Sequence, residues 1–214
     1  IRDRIESRWL GDVYKRQAVD NGAKIINGSF GKYFSSNPEW VIDAIKYASD
    51  NDVLVIAAAG NESKDLDSLS NDNYPNDQFF NKNEFSDTFV KVGASSINLD
   101  ENFTAYFSNY GKINVDIFAP GVDIYSTVPN DKYKFQSGTS MASPVVSGVA
   151  SLIMSYFPKL SAKKVKEIIL ESGIDIDVKI GNLGGNKHFR EYSKSGKLVN
   201  AYNALILASR SKKK

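Results

Sequence analysis

Gly138-Thr139-Ser140-Met141-Ala142-Ser143-Pro144 places a hydroxyl between a flexible Gly-Thr approach and a long apolar run that predicts a buried helix. A serine there sits at a helix N-terminus, where backbone N–H groups lack intrahelical partners and stabilise developing negative charge. A nucleophile attacking a carbonyl needs this, because its tetrahedral intermediate carries an oxyanion. Serine is also a common helix cap, so the segment alone reads either way. A second segment adds to the first. Val53 to Ala59 is a β-rich apolar run without alternation, as in a strand buried on both faces, and it ends in Gly60-Asn61-Glu62. Asn61 therefore falls at the carboxyl end of a strand, the edge where open α/β sheets bind ligands. Its amide could donate a hydrogen bond to an oxyanion, or it could simply end the strand in a turn.

Together with Ile26-Asn27-Gly28-Ser29-Phe30-Gly31, these segments resemble three signature blocks of the subtilisin-like serine peptidases, the subtilases, in that family's order. The resemblance runs from about Ala18 to about Ala208. It implies that Ser140 is the nucleophile and Asn61 the oxyanion-hole amide. It also implies that the backbone of Ser29, Phe30 and Gly31 pairs with an extended peptide or protein substrate, with Ala58 and Gly60 beside it. Main-chain hydrogen bonds then supply affinity and pockets supply selectivity. In this scheme an upstream histidine takes the Ser140 proton as the hydroxyl attacks a peptide carbonyl, and Asn61 and the Ser140 N–H hold the oxyanion. A secreted, periplasmic or cell-surface location follows from the resemblance alone.

Subtilases order their triad Asp, His, Ser. The one histidine of this chain, His188, follows Ser140. The expectation is a C-terminal portion of a subtilase catalytic domain, truncated on its N-terminal side, with the triad acid and base in an upstream segment. Such a chain would be inactive alone and prone to aggregate through uncovered sheet surface. Residues 1–17 carry five basic and three acidic side chains and show no strand period. They read as a non-native or disordered leader, with a surface helix as the competing possibility. Residues 18–209 form the domain, and 210–214 a basic, solvated tail.

Two other functions fit some of the same residues. An α/β-hydrolase would use Ser140 with Asp175 or Asp177 and His188, in the order Ser, Asp, His. Against it, Ala142 replaces the second glycine of the nucleophile elbow and Asn61 is left without a purpose. A binding module would keep the fold without the chemistry. His188 itself, next to the turn-forming Gly184-Gly185-Asn186-Lys187, reads as an exposed loop residue.

The elements that must position these residues form one mainly parallel α/β domain with the three-layer, subtilisin-like arrangement. Lys24–Asn27 predicts a strand, and Pro38 a helix start whose Trp40, Ile42, Ala44, Ile45 and Ala48 face the sheet. Phe89–Ala94 and Val115–Phe118 predict further strands, the latter closed by Ala119-Pro120-Gly121. The helix after Ser140 runs to about Phe157 with almost no polar face, which predicts burial all round, and Pro144 stiffens its first turn. Ser161 caps a helix through Leu170, and Asn200–Ala208 predicts a closing helix.

Composition excludes several alternatives. The chain has 214 residues, with 27 basic against 25 acidic side chains. That balance gives no footprint for nucleic acid. No apolar run approaches the ~18 residues of a membrane-spanning helix. Without cysteine there is no thiolate metal site, thiol nucleophile or disulfide. Glu62 to Thr88 is a long loop whose Asp65, Asp67, Asn71, Asp72 and Asn73 could offer oxygen ligands to calcium. Their spacing matches no calcium loop, and a solvated loop beside the substrate cleft is the expectation.

Overall fold

The computed structural model describes residues 16–78 and 83–211. Most of the expected leader therefore lies outside the described residues. Arg16 and Gln17 belong to a helical stretch over 16–20, packed beside the next helix by a Tyr47 to Asp20 hydrogen bond. Residues 212–214 of the expected tail are also outside, whereas Arg210 and Ser211 end the last helix.

In chain order the elements are β1 (Ile25–Gly28), α1 (Pro38–Asp50), β2 (Leu54–Ala58), β3 (Phe89–Ser95), β4 (Ile117–Pro120), β5 (Ile124–Val128) and β6 (Lys132–Gln136). They continue with α2 (Thr139–Tyr156), α3 (Ala162–Ser172), β7 (Ile174–Asp175), β8 (Lys179–Ile180), β9 (Lys187–His188), β10 (Lys197–Leu198) and α4 (Ala201–Ser211). The main sheet has the order β1-β2-β3-β4-β10-β7. It is parallel through β10, and β7 closes it antiparallel.

Side chains of β2 alternate between two cores. Leu54 and Ile56 join Val90, Val92, Ile117 and Ala119 under α2, α3 and α4. Val55 and Ala57 join Phe89 against Val41, Ile45 and Ala48 of α1. A sheet sandwiched this way must be apolar on both faces, and β2 and β3 are buried along their whole length. The three layers and the mainly parallel sheet are as the sequence predicts.

Several details differ. On α1 the inward stripe is Val41, Ala44, Ile45 and Ala48, spaced i, i+3, i+4, i+7, which turns Trp40 to the surface. Helix α2 is buried on one face only; Leu152 and Tyr156 are exposed, because a single sheet covers a single side. Pro144 lies in the second helical turn rather than the first. The antiparallel hairpin of β5 and β6 went unpredicted because its exposed residues show no buried face, although Tyr125 packs on Tyr133 and Phe135. The capping of α3 is as expected, with the Ser161 hydroxyl accepting from Lys164 N–H.

Candidate active site

Ser140 is the second residue of α2, after the N-cap Gly138 and Thr139. The first N–H groups of this 18-residue helix have no intrahelical acceptors, so its open end carries partial positive charge. Asn61 follows β2 by three residues and meets that end. Its Oδ1 accepts from both the backbone N–H and the hydroxyl of Thr139, each at 2.9 Å. With its oxygen occupied, the Asn61 amide must turn its N–H donors the other way.

A cavity of about 180 Å³ opens there, lined by Asn61 and Ser140 together with Phe30, Gly31, Ala58 and Gly60. Six of the seven predicted site residues thus share one cavity. Ser29, the seventh, lies behind it. Its hydroxyl donates to the Ser140 carbonyl at 2.9 Å, while its own carbonyl accepts from the Ser140 hydroxyl at 3.1 Å. Tyr33, Glu62, Asn73 and Thr139 also line the cavity. Thr139 lies within the serine block and Glu62 directly follows Asn61, so both could have been inferred from position. Tyr33 and Asn73 carry no local sign of their role.

The turn after β2 is held by Asn109, which is fully buried. Its Oδ1 accepts from the N–H groups of Glu62 (3.2 Å) and Lys64 (2.9 Å), and its Nδ2 reaches Ala59 O at 2.8 Å. Gly60 has φ +103°, and a Cβ there would stand 2.4 Å from Asn109 Nδ2. Only glycine fits both the backbone and the space. Asn109 also donates to the Tyr33 hydroxyl at 2.6 Å, and that hydroxyl donates in turn to the Glu62 carboxylate. Burial, then the Glu62 hydrogen bond, push the Tyr33 hydroxyl well above the ordinary tyrosine range, so it keeps its proton. Lys64 Nζ stands 4.0 Å over the Tyr33 ring.

Behind Asn73 lies a buried charge cluster. Lys91 on β3 is 1% exposed, and its Nζ donates to Asn73 Oδ1 at 2.8 Å. Burial lowers the Lys91 amine to about 7, against the pull of Asp77 and Asp116. Burial and the Asp116 charge raise Asp77 to about 7. Lys166 stands 3.7 to 3.9 Å from Asp77, Glu84 and Asp116. Burial opposes its charge, but these carboxylates outweigh it and raise its pKa.

The expectation of a solvated loop from Glu62 to Thr88 needs correction, since Asn73, Asn76 and Asp77 are buried. It does flank the cavity, through Asn73. Two of its acidic residues are engaged within the protein: Asp67 accepts from Ile113 and Asn114 N–H, and Asp65 from Asp67 N–H. Among the described residues no group of three or more His, Asp or Glu gathers to hold a cation. His188 is on β9, with Nδ1 3.7 Å from Asp177, and is not among the residues lining the Ser140 cavity. No described helix is long and apolar enough to cross a membrane.

Comparison with known proteins gives the family and the fold. The sequence profile of the subtilase family matches residues 4–197, beginning within the segment expected to be a leader. The cell wall-associated protease of Bacillus subtilis (strain 168) is 37% identical over 193 residues, covering 88% of this chain and 19% of that protein. Subtilisin DY of Bacillus licheniformis is 38% identical over 149 residues, covering 70% of this chain and 49% of that protein. The structure of the prenylagaramide maturation protease PagA superposes with TM-score 0.70 at 30% identity, covering 91% of this chain and 66% of that one. The chain thus spans less than half the length of these two curated relatives.

Proposed function

The chain belongs to the subtilase family, and from that premise we propose that it carries the nucleophile and oxyanion-stabilising part of a serine endopeptidase site. Ser140 attacks the peptide carbonyl and becomes acylated. The Asn61 amide and the Ser140 N–H hold the oxyanion, and Ser29 to Gly31 align the substrate as an added strand. One observation carries this reading. Thr139 occupies the Asn61 oxygen with two donors, so the Asn61 N–H groups are oriented in advance toward the cavity that Ser140 shares. A donor fixed before the reaction costs no reorganisation when charge develops.

The Ser140 hydroxyl donates to Ser29 O, a carbonyl that cannot take up its proton. The general base belongs to a segment outside this chain, a histidine held by an aspartate as in the Asp, His, Ser order of the family. On this reading the chain alone does not hydrolyse peptides, and the full-length protein does. A secreted or cell-surface location is supported by the name of the Bacillus subtilis relative.

The placement of His188 away from the cavity favours a second reading, a binding module that captures extended peptides without cutting them. A fluorophosphonate probe separates the two. The full-length protein should label at Ser140, lose the label in Ser140→Ala, and cleave a denatured protein substrate. Absence of labelling with retained peptide binding would establish the second reading instead.

A further inference from the structure

We propose that Lys91 is a specificity-determining residue, and that by holding Asn73 it makes the cavity select a side-chain carboxamide, glutamine or asparagine, next to the bond to be cut. This deepens the peptidase reading and rests on it.

A lysine amine that donates to a carboxamide sets the amide's orientation. Lys91 Nζ donates to the Asn73 Oδ1 2.8 Å away, and so fixes which side of the amide faces β3. A flipped amide would lose that bond and set its N–H groups against the hydrogens of a buried amine. Asn73 therefore presents N–H groups on its cavity side, where Nδ2 lies 3.6 Å from the Cβ position of Gly31. These N–H groups are the donors that Asn73 can offer an occupant of the cavity.

The Tyr33 hydroxyl donates to Glu62 and accepts from Asn109, so it has no proton to offer a substrate. Glu62 uses Oε2 for Tyr33 and Asn109, which leaves Oε1 as an acceptor at the cavity. Apart from the Asn61 and Ser140 groups given to the reaction, the wall thus offers Asn73 N–H as a donor and Glu62 Oε1 as an acceptor. A primary carboxamide has the matching acceptor and donor. A carboxylate would face Glu62 with like charge, an ammonium would leave the Asn73 N–H unmet, and a hydrocarbon would leave both unmet.

The test uses the full-length protein and a peptide series differing only in the residue before the scissile bond: Gln, Asn, Glu, Lys and Leu. The better carboxamide peptide should exceed Glu, Lys and Leu in kcat/KM by about 10–100-fold. Lys91→Met frees the Asn73 amide to flip, so the Gln-to-Leu ratio should fall about tenfold or more while leucine peptides are still cut. A purely structural role would lower every peptide alike. Should Lys91→Met fail to fold, the parent series and Asn73→Leu, which removes the donor, still decide. Equal or better cleavage of the Leu or Lys peptide by the parent overturns this inference alone. No cleavage of any peptide, with no fluorophosphonate labelling, overturns the peptidase reading as well.

Discussion

The Ser29 hydroxyl donates to the Ser140 carbonyl at 2.9 Å, in place of the backbone N–H that Pro144, four residues further on, does not have. Proline inside a helix normally leaves a carbonyl unpaired. Here that carbonyl belongs to the candidate nucleophile, and a side chain from the segment after β1 pairs with it. Ser29 also accepts from Asn27 Nδ2 and lies 3.0 Å from the Ser143 hydroxyl, so the first turns of α2 are tied to the segment after β1. Ser29→Ala should cost about 1–3 kcal/mol of stability, the penalty of one buried acceptor left unpaired. Urea unfolding of parent and variant measures it. A difference under about 0.5 kcal/mol would show that the carbonyl finds water instead.

Asn61→Ala should lower turnover of the full-length protein about 10²–10³-fold, the effect of removing one oxyanion-stabilising donor. KM should move much less, because the lost interaction belongs to the transition state. Comparable turnover of variant and parent would remove Asn61 from the oxyanion hole.

Thr139→Val removes one of the two donors to Asn61 Oδ1 and leaves the backbone N–H in place. The amide is then held by one hydrogen bond of two, and turnover should fall about tenfold, in line with the net worth of one such bond. Full turnover would mean that the backbone bond alone orients Asn61.

Gly60→Ala must place a methyl group in left-handed backbone and 2.4 Å from the Asn109 amide. A loss of at least about 2 kcal/mol is expected. Thermal unfolding reports it, and an unchanged Tm would refute the close approach of Asn109.

The carboxyl of Asp77, raised to about 7 by burial and then by Asp116, makes stability depend on pH. Between about pH 4 and 7 the folded state keeps a proton that the unfolded chain has released. Stability from this group therefore falls as pH rises through that window and is level above it. Asp77→Asn removes the dependence. Its stability relative to the parent should climb from about pH 4 to 7 and then stay flat, as read by urea melts across that range. A constant difference would mean that Asp77 is ionised throughout.

Much of the fold was legible because its signals are local. The uninterrupted apolar run before Asn61 announced a strand with two covered faces, and β2 has them. Ser161 announced a helix start, and it caps α3. The inward face of α1 excludes Trp40, because Val41 completes the stripe with Ala44, Ile45 and Ala48 and only the full helix packing selects between the two neighbours. Strand β10 pairs with β4 through a single register position, too short a contact for any periodicity to reveal.

Sequence alone determined which blocks carry the site: a serine opening a long helix, an asparagine ending a buried strand, and the Ser29-Phe30-Gly31 segment after β1. Those features depend on residue type and on neighbours a few positions away. Only the tertiary structure decided what surrounds them. Asn73, Asn109 and Lys91 come from separate loops and strands, and their roles arise from burial, where each amide or amine must find a partner of the right polarity. That pairing is a property of distances across the chain, which no spacing along it records.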